Sequence, residues 1–142
     1  MANGFAHIEL NTDDPGKAEK FYKAVFPSWK FKAMPAMHYT GLSTGTKDGP
    51  GGGVQKKPMQ EAPTQWLPYV RVDDVKKTVA KARKAGARVV QDYMPIGDMG
   101  AIAVFVDPTG AAIGVWEEAK KKAPKKKAKK AAKKANKKAK KR

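Results

Sequence analysis

One stretch constrains this chain more than any other, because it occurs twice. Phe5 to Phe26 reads FAHIELNTDDPGKAEKFYKAVF, and Gln65 to Gly86 reads QWLPYVRVDDVKKTVAKARKAG. Setting Asp13-Asp14 on Asp73-Asp74 brings His7 onto Leu67, Leu10 onto Val70 and Lys17 onto Lys77. A repeat at a fixed offset is one structural unit used twice, so the architecture follows from the unit. In the first copy Phe5–Leu10 alternates as a strand does. Ala6, Ile8 and Leu10 share one face; Phe5, His7 and Glu9 share the other. The aliphatic face is expected to pack on the following helix, which leaves the His–Glu face free to line something else. Asp14 suits an N-cap, and Pro15 suits the first helical position, where its missing N–H costs nothing. Ala18, Phe21, Tyr22 and Val25 then recur at helical spacing, an apolar stripe of the kind a helix buries, and Pro27 stops the helix.

The rest of each half follows the same plan. Trp29–Ala33, Met37–Ser43 and Gly53–Lys57 read as short strands. Gly45 to Gly53 is glycine-rich but lacks the Gly-Lys-Ser/Thr ending of a phosphate loop. Two prolines between Lys57 and Pro63 mark the seam between halves. In the second half Gln65–Val72 is a strand with Leu67, Tyr69 and Arg71 on one face. Asp73 or Asp74 caps a helix whose buried stripe is Val75, Val79, Ala82 and Ala85, with Gly86 just past its end. A strand at Ala87–Gln91 and a loop at Tyr93–Gly100 follow. A hairpin of Ala101–Val106 and Ala111–Trp116 then turns across Asp107-Pro108-Thr109-Gly110. Each half is β-α-β-β-β, so the predicted class is α+β: two βαβββ modules forming a cup-shaped, partly open β-barrel.

Charge divides the chain. Residues 1–119 hold 15 Lys/Arg and 13 Asp/Glu, whereas residues 120–142 hold 15 Lys/Arg and no acid. The predicted organisation is therefore a domain over 1–119, with modules at about 4–58 and 64–118, and a Lys-rich tail over 120–142. The tail has nothing to bury and its charges repel, so it is expected to be disordered when free. Its chemistry is polyanion binding, through Lys120, Lys121, Lys122, Lys125, Lys126, Lys127, Lys129, Lys130, Lys133, Lys134, Lys137, Lys138, Lys140, Lys141 and Arg142. With no aromatic residue in the tail, that binding is expected to ignore base sequence. No cysteine is present, which excludes disulfides, thiol nucleophiles and thiolate metal sites. No apolar run nears the ~20 residues of a membrane span, and no secretory leader is read. The expectation is a cytoplasmic protein associated with the nucleoid through its tail.

Two βαβββ modules in about 120 residues resemble the vicinal oxygen chelate superfamily, which includes glyoxalase I, extradiol dioxygenases and bleomycin resistance proteins. FAHIELNTDDPGKAEKFYKAVF looks like its opening strand and helix, and FVDPTGAAIGVWE like its closing Asp-Pro-x-Gly hairpin. The resemblance covers roughly residues 4–118. It implies a cup in which four side chains, from the first and last strands of each module, chelate a divalent ion. His7 matches the first of these positions. The others fall on Leu67, on Gly114, and near Gly53–Gln55, where Gln55 is the one donor. The tail resembles those of linker histones.

Leucine and glycine offer no donor to a hard cation. No cofactor is therefore expected, with a divalent metal held by His7 and Glu9 as the alternative. His38 lies on another predicted strand, and its direction is open. The expected ligand contacts are His7, Glu9, Gln55, Tyr69, Arg71 and Trp116, with an Arg among aromatics suiting an anionic or planar molecule. Three functions remain open: a small-molecule-binding domain tethered to nucleic acid, a DNA-associated scaffold without a ligand, and a metal-dependent lyase or dioxygenase. The resemblance also implies a homodimer. An open pocket lined by His7, Glu9, Tyr69 and Arg71 would favour the first. A cup filled by Tyr69 and Trp116 would favour the second.

Overall fold

A computed structural model describes residues 2–120, so the segment from Lys121 onward, and the expectations placed on it, lie outside the described residues. The first unit runs β1 (Phe5–Thr12), α1 (Pro15–Val25), β2 (Lys30–Met34), β3 (Tyr39–Ser43) and β4 (Gly51–Lys56). The second runs β5 (Gln65–Arg71), α2 (Val75–Lys84), β6 (Arg88–Ile96), β7 (Gly100–Val106) and β8 (Ala112–Glu118). All eight strands join one open sheet in the order β2-β3-β4-β1-β5-β8-β7-β6. Within each unit the first strand lies parallel to the last, β1 to β4 and β5 to β8. The units meet at the centre, where β1 runs antiparallel to β5 and Ile8 sits opposite Pro68.

Local chemistry explains why the repeat folds alike twice. Asp14 Oδ1 accepts the Lys17 N–H at 3.0 Å, and Asp74 Oδ1 accepts the Lys77 N–H at 2.9 Å. The same cap opens both helices. Gly86 closes α2 with φ +101°, a left-handed position that side chains rarely adopt. Asp107 Oδ1 accepts from the Thr109 N–H, the Thr109 hydroxyl and the Ala111 N–H, which fixes the β7–β8 hairpin.

The two helices are seated differently. Val75 and Val79 of α2 are buried with Val72, Ala103 and Val115, with Val89 and Phe105 packed alongside. Ala85, expected in the buried stripe, is the C-cap of α2 and is exposed. No residue of α1 is buried; Phe21 is 58% exposed and Val25 48%. Helical spacing reports amphipathicity, not how much surface lies beneath. Under α1 the sheet presents Leu10, Leu42 and Val54 but a bare Gly52. The stripe instead joins an outward aromatic cluster of Phe21, Tyr22, Phe26, Trp29 and Trp66, in which Trp66 Nε1 donates to the Tyr22 hydroxyl at 3.1 Å.

Several boundaries differ from expectation; β4 begins at Gly51, inside the stretch read as a glycine-rich connection, and β3 begins only at Tyr39. β6 continues through Tyr93-Met94-Pro95-Ile96, the stretch read as a loop. It is an edge strand, where a proline removes no ladder bond that the sheet needs. His38 is not on a strand. It follows a single 3-10 turn at Pro35–Met37, with φ 50°, and is exposed. Among the described residues no helix is long and apolar enough to cross a membrane.

Candidate functional site

β1 turns His7, Glu9 and Asn11 to one face. On one side they meet Gly51, Gly53 and Gln55 of β4; on the other, His7 meets Tyr69 and Glu9 meets Leu67 of β5. Tyr69 lies beside Gly114 and Arg71 beside Trp116. All six sequence candidates thus share a face, because paired positions in a sheet point the same way.

They do not form one site. Glu9 is 6% exposed and anchors a buried network. The Tyr69 hydroxyl donates to Glu9 Oε2 at 3.0 Å, and the Tyr39 and Asn11 side chains flank the carboxylate and favour its charged form. The Tyr39 hydroxyl lies 2.5 Å from His7 Nε2, and Gln55 Nε2 donates to Asn11 Oδ1 at 2.9 Å. The His7 ring stacks beside Tyr39 and meets Tyr69 edge-on, with centroids 6.2 and 5.9 Å apart. Arg71 stands apart, exposed and paired with Glu118. Trp116 packs over Gly100, whose missing side chain makes room for its ring. Tyr39 and Asn11 were not among the sequence candidates. Asn11 continues the His7–Glu9 alternation and was within reach of it. Tyr39 comes from β3, and its side chain reaches over Gly53, which the sequence pattern does not show.

Burial sets the electrostatics. Desolvation pushes the Glu9 carboxyl above its usual range, against the Tyr69 hydroxyl and the neighbouring Tyr39 and Asn11 side chains, which favour the ion. Desolvation lowers His7, which favours the neutral imidazole. Burial and the neighbouring Glu9 raise both phenols, so Tyr39 and Tyr69 remain protonated donors. A carboxyl raised by folding stabilises fully below the ordinary carboxylate range and loses that contribution as pH rises through its raised value. A lowered imidazole does the reverse, losing its contribution as pH falls. The two slopes oppose each other, so Glu9 is isolated by comparison: from about pH 4.5 upward the stability of the parent protein in urea should fall relative to Glu9→Gln by at most about 1.4 kcal/mol per pH unit. Parallel curves for the two proteins would contradict the assignment.

Two glycines decide what else the face can hold. A Cβ on Gly114 would fall within the Tyr69 ring, and one on Gly53 would overlap the Tyr39 hydroxyl. Among the described residues, no three His, Cys, Asp or Glu side chains lie together in a way that could hold a metal ion. His7 helps line a groove of about 350 Å³ with Lys30, Phe31, Lys32, Gly41, Leu42, Ser43, Gly51 and Gly52. Lys30 and Lys32 carried no sequence signal, because their side of β2 becomes part of the site only through the sheet register.

A family model for the glyoxalase-like domain matches residues 7–116, almost the whole of the sheet. The chain belongs to the glyoxalase-like domain family. Curated relatives agree. CFP32 of Mycobacterium bovis, which bears a glyoxylase name, is 35% identical over 115 residues, 78% of this chain and 44% of that protein. The anthracycline biosynthesis protein DnrV of Streptomyces peucetius is 30% identical over 131 residues, 80% of this chain and 46% of that protein. The chain thus spans about half the length of these relatives. Methylmalonyl-CoA epimerase from Mycobacterium tuberculosis shares the fold at TM-score 0.57 and 16% identity, over 85% of this chain and 91% of that one. In this glyoxalase-like chain the four ligand positions implied by resemblance offer one imidazole, one amide, a leucine and a glycine, and tyrosines occupy the space at Gly53 and Gly114. These residues do not fit a divalent metal.

Proposed function

We propose that this glyoxalase-like domain binds a small anionic molecule in the groove beside His7, without the family's metal, and that the Lys-rich tail tethers it to nucleic acid or another polyanion. The observation behind the reading is the groove itself, which sets Lys30 and Lys32 across from His7 while the neighbouring ligand positions are closed. The glyoxylase, anthracycline-biosynthesis and epimerase names of its relatives are all consistent with small-molecule chemistry. Pairing with a second copy is part of the proposal. It is supported by the uncovered stripe of α1 and by relatives about twice as long. A tethered protein of this kind belongs in the cytoplasm, with the nucleoid.

The scaffold reading draws on the second unit, where Tyr69 fills the space at Gly114 and Trp116 covers Gly100. A thermal-shift series on the full chain separates the readings. Phosphate and small carboxylates should raise the Tm, Lys30→Gln/Lys32→Gln should remove that rise, and divalent ions should add nothing. Equal rises in the double variant would place anion binding elsewhere and favour the scaffold. One stoichiometric metal ion in the purified protein would restore the lyase or dioxygenase reading.

A further inference from the structure

The direction of the hydrogen bonds around His7 carries the reading further. Glu9 as a carboxylate can only accept; Tyr69 donates to it at 3.0 Å, and the Tyr39 hydroxyl sits over Gly53, the residue paired with Glu9. Tyr39 has a single proton. If that proton serves Glu9, the Tyr39 oxygen must accept at its 2.5 Å contact with His7, so Nε2 carries the imidazole proton. Nδ1 is then a bare lone pair. It has no partner among the described residues, where no buried side-chain nitrogen or oxygen is left unpaired, so Nδ1 must reach solvent. The ring borders the groove.

The groove's other features are equally one-sided. Gly51 pairs with His7, Gly41 pairs with Lys32 and Ser43 pairs with Lys30, so two bare backbone positions and a small hydroxyl residue floor the groove between the imidazole and the lysines. Three inter-strand steps separate β1 from β2, roughly 14 Å between backbones. Lysine side chains turned toward the imidazole would shorten that to the length of a small ring system.

We infer that the groove takes a flat, conjugated hydroxy-acid, its anionic group on Lys30 and Lys32 and its acidic O–H donated to His7 Nδ1. The inference rests on the anion-binding reading but adds the donor requirement and its polarity. Tyr39 and Glu9 are positioning residues: they fix the tautomer and do not touch the ligand.

The test uses the full chain with nitrogen-labelled histidine, probed by NMR with 4-hydroxybenzoate, benzoate and phenol. In the free protein, Nδ1 of His7 should show the unprotonated type of shift and Nε2 the protonated type. 4-Hydroxybenzoate should perturb Nδ1 and bind at least about tenfold more tightly than benzoate or phenol. Tyr39→Phe should erode that tenfold preference while leaving benzoate binding unchanged, an outcome that a merely structural role would not produce. Lys30→Gln/Lys32→Gln should weaken both acids alike. A protonated Nδ1, or equal binding of the two acids through the lysines, overturns the inference and leaves the anion reading standing. Loss of binding by both acids, with or without the lysines, overturns the two together.

Discussion

Gly114→Ala should destabilise the domain by roughly 3–5 kcal/mol, a large part of the ~5–15 kcal/mol that holds a typical domain folded. The new methyl group has nowhere to go, because the Tyr69 ring already occupies its place. Tyr69 is 5% exposed, and its hydroxyl is committed to Glu9. Moving the ring therefore adds a broken buried hydrogen bond to the steric cost. Two partners dissect the effect in urea unfolding. Tyr69→Phe removes the hydroxyl but keeps the ring, so it should not rescue Gly114→Ala. Tyr69→Val removes the ring, so the double variant should be more stable than the sum of the single losses predicts. An unchanged midpoint for Gly114→Ala would mean that the ring yields freely and that packing does not close the position. The same overlap means that Gly114→Glu alone should fail to create a metal site.

Removal of residues 120–142 should abolish retention on DNA while barely moving the Tm. The full chain carries a formal net charge of +17, nearly all of it from its last stretch. A segment that neutralises about 6–10 phosphates loses on the order of 10³–10⁵ in affinity between 50 and 200 mM salt. The full chain should therefore show a steep, sequence-independent salt slope and the shortened chain almost none. Salt-resistant retention of the shortened chain would move the nucleic-acid contact onto the sheet and remove the tether from the proposal.

Features governed by local chemistry were legible in the sequence, and features governed by register were not. The paired caps at Asp14 and Asp74 depend on a few neighbouring residues, so the repeat announced them, and the two βαβββ units with them. The Asp107 turn is local in the same sense. His7 and Glu9 could be placed on one face by alternation alone. Their partner Tyr39 could not, because its arrival depends on β3 pairing with β4 and on Gly53 leaving space. Pro95 misled because proline reads as a breaker until the strand is known to be at an edge. The stripe of α1 misled because a helix pattern says which side is apolar and not whether anything covers it.

The exposed stripe of α1 and the proposed tether together predict two opposed responses to ionic strength. At low salt a chain of this charge should hold its copies apart and grip polyanions. Salt near 1 M shrinks the screening length to about 3 Å. It should then release that grip and remove the repulsion between the exposed Phe21–Val25 surfaces. A high-salt wash that strips nucleic acid should thus be the condition that most favours self-association.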